Sequence, residues 1–203
     1  MFDTHDLNPH GKDLGAAFID WLKSTYHFTK YPANVNDLDD TKALCYLGGQ
    51  FEAKEGPISV ELRIYNDGIV GDTRSETDDT DSFLSGLLLS AAKEFRLPYR
   101  PEIIRKRLYV SEMTVRTSMS LASVNPNLVN FAQKLARLTG ANAPLQLTSI
   151  GFWQDILPNP SASTFRFERK WGAEFSDNRY FTRAPLQTSI HLELLRELEM
   201  AVS

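Results

Sequence analysis

Between residues 14 and 26 the apolar side chains Leu14, Phe18, Trp21, Leu22 and Tyr26 recur at the spacing of one helical face. This periodicity predicts an amphipathic helix, with Trp21 as a core anchor. Asn8-Pro9 supplies its entry signal, since Asn can cap and Pro is tolerated in a first turn. After a polar connection over 32–40 the period changes to two. Segments 44–53 and 58–65 flank Glu55-Gly56-Pro57, and in the second of them Ile58, Val60, Leu62 and Ile64 alternate with Ser59, Glu61 and Arg63. That is a β-hairpin with one wet face. Asn66-Asp67-Gly68 is a turn signal, and Ile69-Val70 extends the sheet.

An acidic stretch from Asp72 to Asp81 leads into Phe83, Leu84, Leu87, Leu88, Ala91 and Phe95, again at helical spacing. Thr80 or Asp81 can cap this helix, while Asp78 and Asp79 suit the positive end of its dipole. The prolines of segment 97–101 then interrupt regular structure. A strand is predicted over 108–119 with Tyr109, Met113, Val115 and Met119 on one face. The helix that follows is framed by Asn125, Pro126 and Gly140, with Leu128, Val129, Ala132, Leu135 and Ala136 as its apolar face. Strands over 145–154, 165–171 and 179–182 precede a terminal helix, whose stripe is Ile190, Leu194 and Leu198 and whose entry Leu186 can staple.

The order α-β-β-α then β-α-β-β-β-α, with strands joined by short turns, predicts an α+β fold. Its antiparallel or mixed sheet would carry helices mainly on one side. The chain has 203 residues, enough for a single α+β domain over 1–203 or two closely packed halves, 1–97 and 98–203, at roughly 100–200 residues per domain. An apolar fraction of 42% and a charged fraction of 24% are those of an ordinary globular chain, which excludes disordered and fibrous classes. The first residues carry acids where a leader needs bases, and no apolar run approaches the roughly 20 residues of a membrane span. A cytoplasmic protein without membrane contact is the expectation.

Charge adds an asymmetry. Residues 1–95 hold 8 basic and 17 acidic side chains, a net of −9, whereas residues 96–203 hold 14 and 9, a net of +5. Two such halves can attract each other, attract another copy, or leave the basic half for an acidic partner. The basic group Arg96, Arg100, Arg105, Lys106 and Arg107 either extends a basic surface or answers the acidic half.

Motifs for chemistry are few. Cys45, the one cysteine, lies in an apolar run and reads as a buried structural thiol. His5, His10, His27 and His191 are scattered without zinc-site spacing, and His191 is expected to be partly exposed. Phosphate-loop, dinucleotide and nucleophile-elbow sequences are absent, and Gly48-Gly49 marks a strand bend or bulge. The acids Asp72, Glu76, Asp78, Asp79 and Asp81 suit capping better than a cation site, lacking the spacing of a calcium loop. Glu61, Glu112 and Glu168 would form a carboxylate site only by converging, and an exposed sheet face accounts for them more simply. No catalytic residue, metal ligand or cofactor is assigned.

The most distinctive segment is 165–171, continued by 178–183. On a strand, Phe165, Phe167, Arg169 and Trp171 point one way and Arg166, Glu168 and Lys170 the other. Basic residues interleaved with aromatics can hold phosphates and stack bases; alternatively the aromatics fill a core and the charges pair across strands. The candidate binding residues are Arg166, Arg169, Lys170, Arg179 and Arg183. The sequence thus predicts a non-catalytic protein-binding or assembly protein, engaging a protein partner or itself. Its rival is a protein that binds nucleic acid or cleaves it with metal assistance. Clustering of Arg166, Lys170, Arg179 and Arg183 on one open face would favour the rival, and pairing with Glu168, Glu174 and Asp177 the first.

Overall fold

The computed structural model describes residues 1–2, 4–11, 14–33, 42–143, 145–153 and 164–202. Most of the connection expected over 32–40, and Gln154 at the end of the strand expected over 145–154, lie outside these. The chain divides into two compact units, Met1–Arg107 and Leu108–Ser203.

In the first unit a short helix α1 (Thr4–Leu7) precedes α2 (Gly15–Tyr26), the antiparallel strands β1 (Leu44–Ala53), β2 (Gly56–Tyr65) and β3 (Gly68–Thr73), and α3 (Thr77–Phe95). The strands pair in the order β1-β2-β3, so residues after the second turn do extend the sheet. Alternation holds on β2, where Val60 and Leu62 are fully buried. Gly48-Gly49 forms a bulge, marked by a register shift after Tyr46. Gly48 has φ of +65°, and a Cβ there would lie 2.3 Å from Thr29 Oγ1, which restricts the position to glycine.

The stripe of α2 packs as its spacing predicts. Leu22 and Tyr26 are buried, Phe18 and Trp21 meet the ring of Phe95, and Tyr26 meets Phe83 edge-on at 5.3 Å. Thus α2 lies over β1 beside α3. Asn8-Pro9 does not open this helix, which starts at Gly15. The acids of segment 72–81 serve α3: it begins at Thr77, earlier than the Thr80 or Asp81 cap implied, with Asp78 and Asp79 in its first turn and Asp79 accepting from Ser75. Cys45 departs from expectation, because it alternates with the fully buried Tyr46 and so lies on the exposed face of β1.

The second unit comprises β4 (Ser111–Arg116), α4 (Leu121–Val124), α5 (Asn127–Thr139), β5 (Ser149–Phe152), β6 (Phe165–Arg169), β7 (Arg179–Ala184) and α6 (Thr188–Val202). Its sheet has the order β4-β7-β6-β5, antiparallel throughout, so the whole is an α+β fold. Phe167, Tyr180, Met119, Leu121 and Leu195 form its buried core, with Met113, Val115, Leu198 and Val202 around it. The rings of Phe167 and Tyr180 stack at 4.5 Å.

Two expectations fail here. The terminal helix buries His191 and Leu195 while Ile190 and Leu194 are exposed, so its inward face is rotated from the 190/194/198 stripe. His191 is fully buried, with Nδ1 2.7 Å from Ser111 Oγ and Nε2 2.9 Å from Thr182 Oγ1. Two hydroxyls satisfying both ring nitrogens allow a polar ring to occupy a core position. No helix among the described residues is long and apolar enough to cross a membrane.

Candidate functional site

Strand register sorts the predicted binding residues. Across the second sheet Glu112 pairs with Arg183 and Arg183 with Arg166; Thr114 pairs with Phe181 and Phe181 with Glu168; Arg116 pairs with Arg179. These side chains share the outer face, because Ser111, Phe167, Tyr180 and Thr182 are buried on the other. Arg166 and Arg179 are exposed there, and Lys170 is exposed just past the end of β6. Arg183 pairs with Glu112 at 3.4 Å, and neither Glu168, Glu174 nor Asp177 forms an ion pair with these bases among the described residues.

Arg169 does not join them. Its guanidinium lies on the inner side, donating to the carbonyls of Glu174 (3.3 Å) and Phe175 (2.6 Å) and lying over the rings of Phe175 and Tyr180. It fixes the turn between β6 and β7. On β6 and β7 the aromatics also separate: Phe165, Phe167 and Tyr180 face inward and Phe181 lies among the outer bases. The alternation that interleaves bases and rings in sequence puts them on opposite faces in space. Trp171 departs further, standing 97% exposed in the turn rather than on the inner face.

The strand carboxylates do not assemble. Glu61 belongs to the first unit and pairs with Arg63 at 3.3 Å, while Glu112 and Glu168 stand on β4 and β6 with β7 between them. Among the described residues no three His, Cys, Asp or Glu side chains are placed to hold a metal. Two of the second basic group answer the acidic half: Arg105 pairs with Asp6 at 2.7 Å and Arg107 with Asp81 at 3.5 Å. Since it lies within the first unit, that unit holds 13 basic and 18 acidic residues, net −5, and the second 9 and 8, net +1.

The largest unexplained feature is apolar. Helix α5 keeps its punctuation, with Asn125 Oδ1 accepting from Asn127 N and Gly140 in the left-handed region at its end. Its apolar face, however, is not in the core: none of its residues is buried. Leu128 and Leu135 are about two-fifths exposed, Phe131 is 62% exposed and Leu138 76%. Phe131 and Leu138 complete the stripe at i+3 and i+10 from Leu128, and sequence reading passed over both although the helical period includes them.

A second uncovered area lies at the β5 edge. Phe152, paired with Phe165, faces inward yet is 67% exposed. A hollow of about 250 Å³ there is lined by Gly151, Phe152, Trp153, Thr164, Phe165 and Arg166. That volume lies below the roughly 300–1,000 Å³ usual for small-molecule sites, and exposed aromatic edges of this kind are typical of surfaces that meet another protein. Neither a family model, a curated protein nor a solved structure matches this chain.

Proposed function

We propose that this protein is a non-catalytic docking and assembly protein that binds protein through the second unit, using the apolar stripe of α5 and the aromatic β5 edge. The observation that carries the reading is a capped, amphipathic helix of 13 residues with no buried residue. Such a helix gains its stability mainly by burying its apolar face. Covering what Leu128, Phe131, Leu135 and Leu138 still expose, about two side chains' worth, would contribute roughly 3–6 kcal/mol at about 1.5–3 kcal/mol per fully exposed side chain, a substantial part of the roughly 4–15 kcal/mol cost of association. Helix-in-groove recognition uses anchors at this spacing.

The test is the size of the protein in an extract of its own cells, by gel filtration, for wild type and for Phe131→Glu with Leu138→Glu. The reading expects wild type in species larger than the 23.0 kDa chain and the variant at chain size with unchanged circular dichroism. Identical elution of both at chain size would count against it.

The outer sheet face favours a second reading, in which Arg116, Arg166, Lys170 and Arg179, free of ion pairs among the described residues, hold nucleic-acid phosphates. It predicts single-strand binding whose affinity falls steeply with salt and is lost in Arg166→Glu with Arg179→Glu. The clustering of these bases on one face, unpaired with Glu168, Glu174 or Asp177 among the described residues, supports this reading; the inward turn of the β6 rings and the unit's net charge of only +1 rank it below docking.

A further inference from the structure

We infer that the occupant of the α5 stripe is a second copy of this chain, each copy laying its α5 over β5 and beside α6 of the other. The inference rests on the docking reading above and names its partner.

Both units run through the same succession of elements, a helix, three antiparallel strands paired in chain order, and a closing helix: α2-β1-β2-β3-α3 and α5-β5-β6-β7-α6. In the first unit the leading helix lies over the first strand and beside the closing helix, through Phe18, Trp21 and Tyr26 against Phe95 and Phe83. In the second unit Phe152 on β5 and Ile190 and Leu194 on α6 are exposed at the corresponding place, and the corresponding helix has its apolar stripe in solvent. Among the described residues the second unit thus carries both an apolar helix stripe and an apolar place for one, each left exposed.

That place can be located on α6. Glu199 accepts from Ser118 N at 2.6 Å, so its flank of the helix looks toward the end of β4. Ile190 and Leu194 lie on the opposite flank, toward β6 and β5, where His191 meets the ring of Phe165 and Phe165 that of Phe152. Ile190 and Leu194 are 45% and 37% exposed. Together with Phe152 they form an apolar floor and wall for a helix.

Charge complementarity selects α5 as the occupant. The only ionisable side chains of α5 are Lys134 and Arg137, whereas α6 carries Glu193 and Glu197 on the side of Ile190 and Leu194, Glu199 being turned away toward Ser118. A basic helix beside an acidic one is the favourable pairing. Each copy gives one helix and receives one, so the exchange closes on itself about a two-fold axis and ends at a dimer.

The experiment is multi-angle light scattering on the full chain at tens of micromolar, with circular dichroism on every variant. Wild type should have twice the chain mass of 23.0 kDa. Leu138→Glu on the helix and Leu194→Glu on the wall, both at exposed positions, should each weaken the dimer at least ten-fold while keeping the fold. Lys134→Glu with Arg137→Glu should also weaken it, and mixing that protein with Glu193→Lys and Glu197→Lys should restore a dimer. A wild-type dimer indifferent to all these changes overturns the inference, since another surface would then hold it. A wild-type monomer also overturns it, and thiol labelling of Leu138→Cys in a Cys45→Ser background then decides the wider reading: rapid labelling leaves α5 free for a different protein, whereas protection shows α5 closed on its own sheet and removes the docking reading too.

Discussion

The imidazole of His191 can stay in the core only while uncharged, because its two neighbours are hydroxyls and burial pulls its pKa below the ordinary value of 6.5. Unfolded chains bind that proton more readily than folded ones, so stability from this site is full above pH 6.5 and declines as pH falls from there through the folded pKa. Urea midpoints measured between pH 7.5 and 5 should therefore fall for wild type, and His191→Gln should flatten the decline. Glu199 titrates elsewhere: hydrogen bonds from Ser118 hold its carboxyl below its usual range, so its contribution is present above pH 4.5 and fades only below it. The burial of His191 was not legible in the sequence, since Ser111 lies 80 residues away and Thr182 nine. Tyr46 shows the opposite case. Its ring sits where the alternation on β1 places it, but its hydroxyl is buried without a hydrogen-bond partner among the described residues, and burial pushes its pKa up to about 12. Tyr46→Phe removes the unsatisfied group without opening a cavity, so thermal unfolding should show stability unchanged or raised by about 1 kcal/mol.

Periodicity finds an element more readily than it finds what covers the element. For α2 the spacing gave both, because the rings of Phe83 and Phe95 receive its stripe. Trp21 is half-buried among Phe18, Tyr26 and Phe95, so Trp21→Ala should cost about 2–3 kcal/mol in denaturant unfolding, less than the roughly 3–5 kcal/mol of full burial. For α5 the caps and the helix were legible and the exposure was not: an apolar stripe signals only that something must cover it. Leu138→Glu should accordingly leave the unfolding free energy of dilute protein within about 0.5 kcal/mol of wild type, against the large loss expected of a core leucine. On α6 a polar histidine at an inward position shifted the readable stripe one residue from the true one. The basic segment was legible to the level of faces, since β6 alternates as expected. Arg169 was not, because its carbonyl acceptors and the ring of Phe175 lie on the turn that follows its own strand.

At the scale of the molecule, the charge asymmetry of the sequence narrows once the structure assigns Arg96 to Arg107 to the first unit, leaving −5 and +1. Arg105 and Arg107 close the first unit. Arg105 N donates to Met1 O at 3.1 Å, its side chain pairs with Asp6, and Arg107 pairs with Asp81. Tyr99, Ile103 and Ile104 pack against the same core as Tyr46 and Phe83. The segment after Pro98, whose prolines interrupt regular structure, is thus part of the first unit's core, and Pro101 opens a short turn there, Pro101–Ile103. A fragment of residues 1–107 contains a complete core and should unfold cooperatively in urea, whereas residues 1–97 lack three half-buried apolar side chains and the tie between the unit's two ends. The shorter fragment should be less stable by about 3–4.5 kcal/mol, at roughly 1–1.5 kcal/mol for each half-buried apolar side chain removed. Equal midpoints and slopes for the two would mean that segment 98–107 adds nothing to the fold, and would move the edge of the first core back to Leu97.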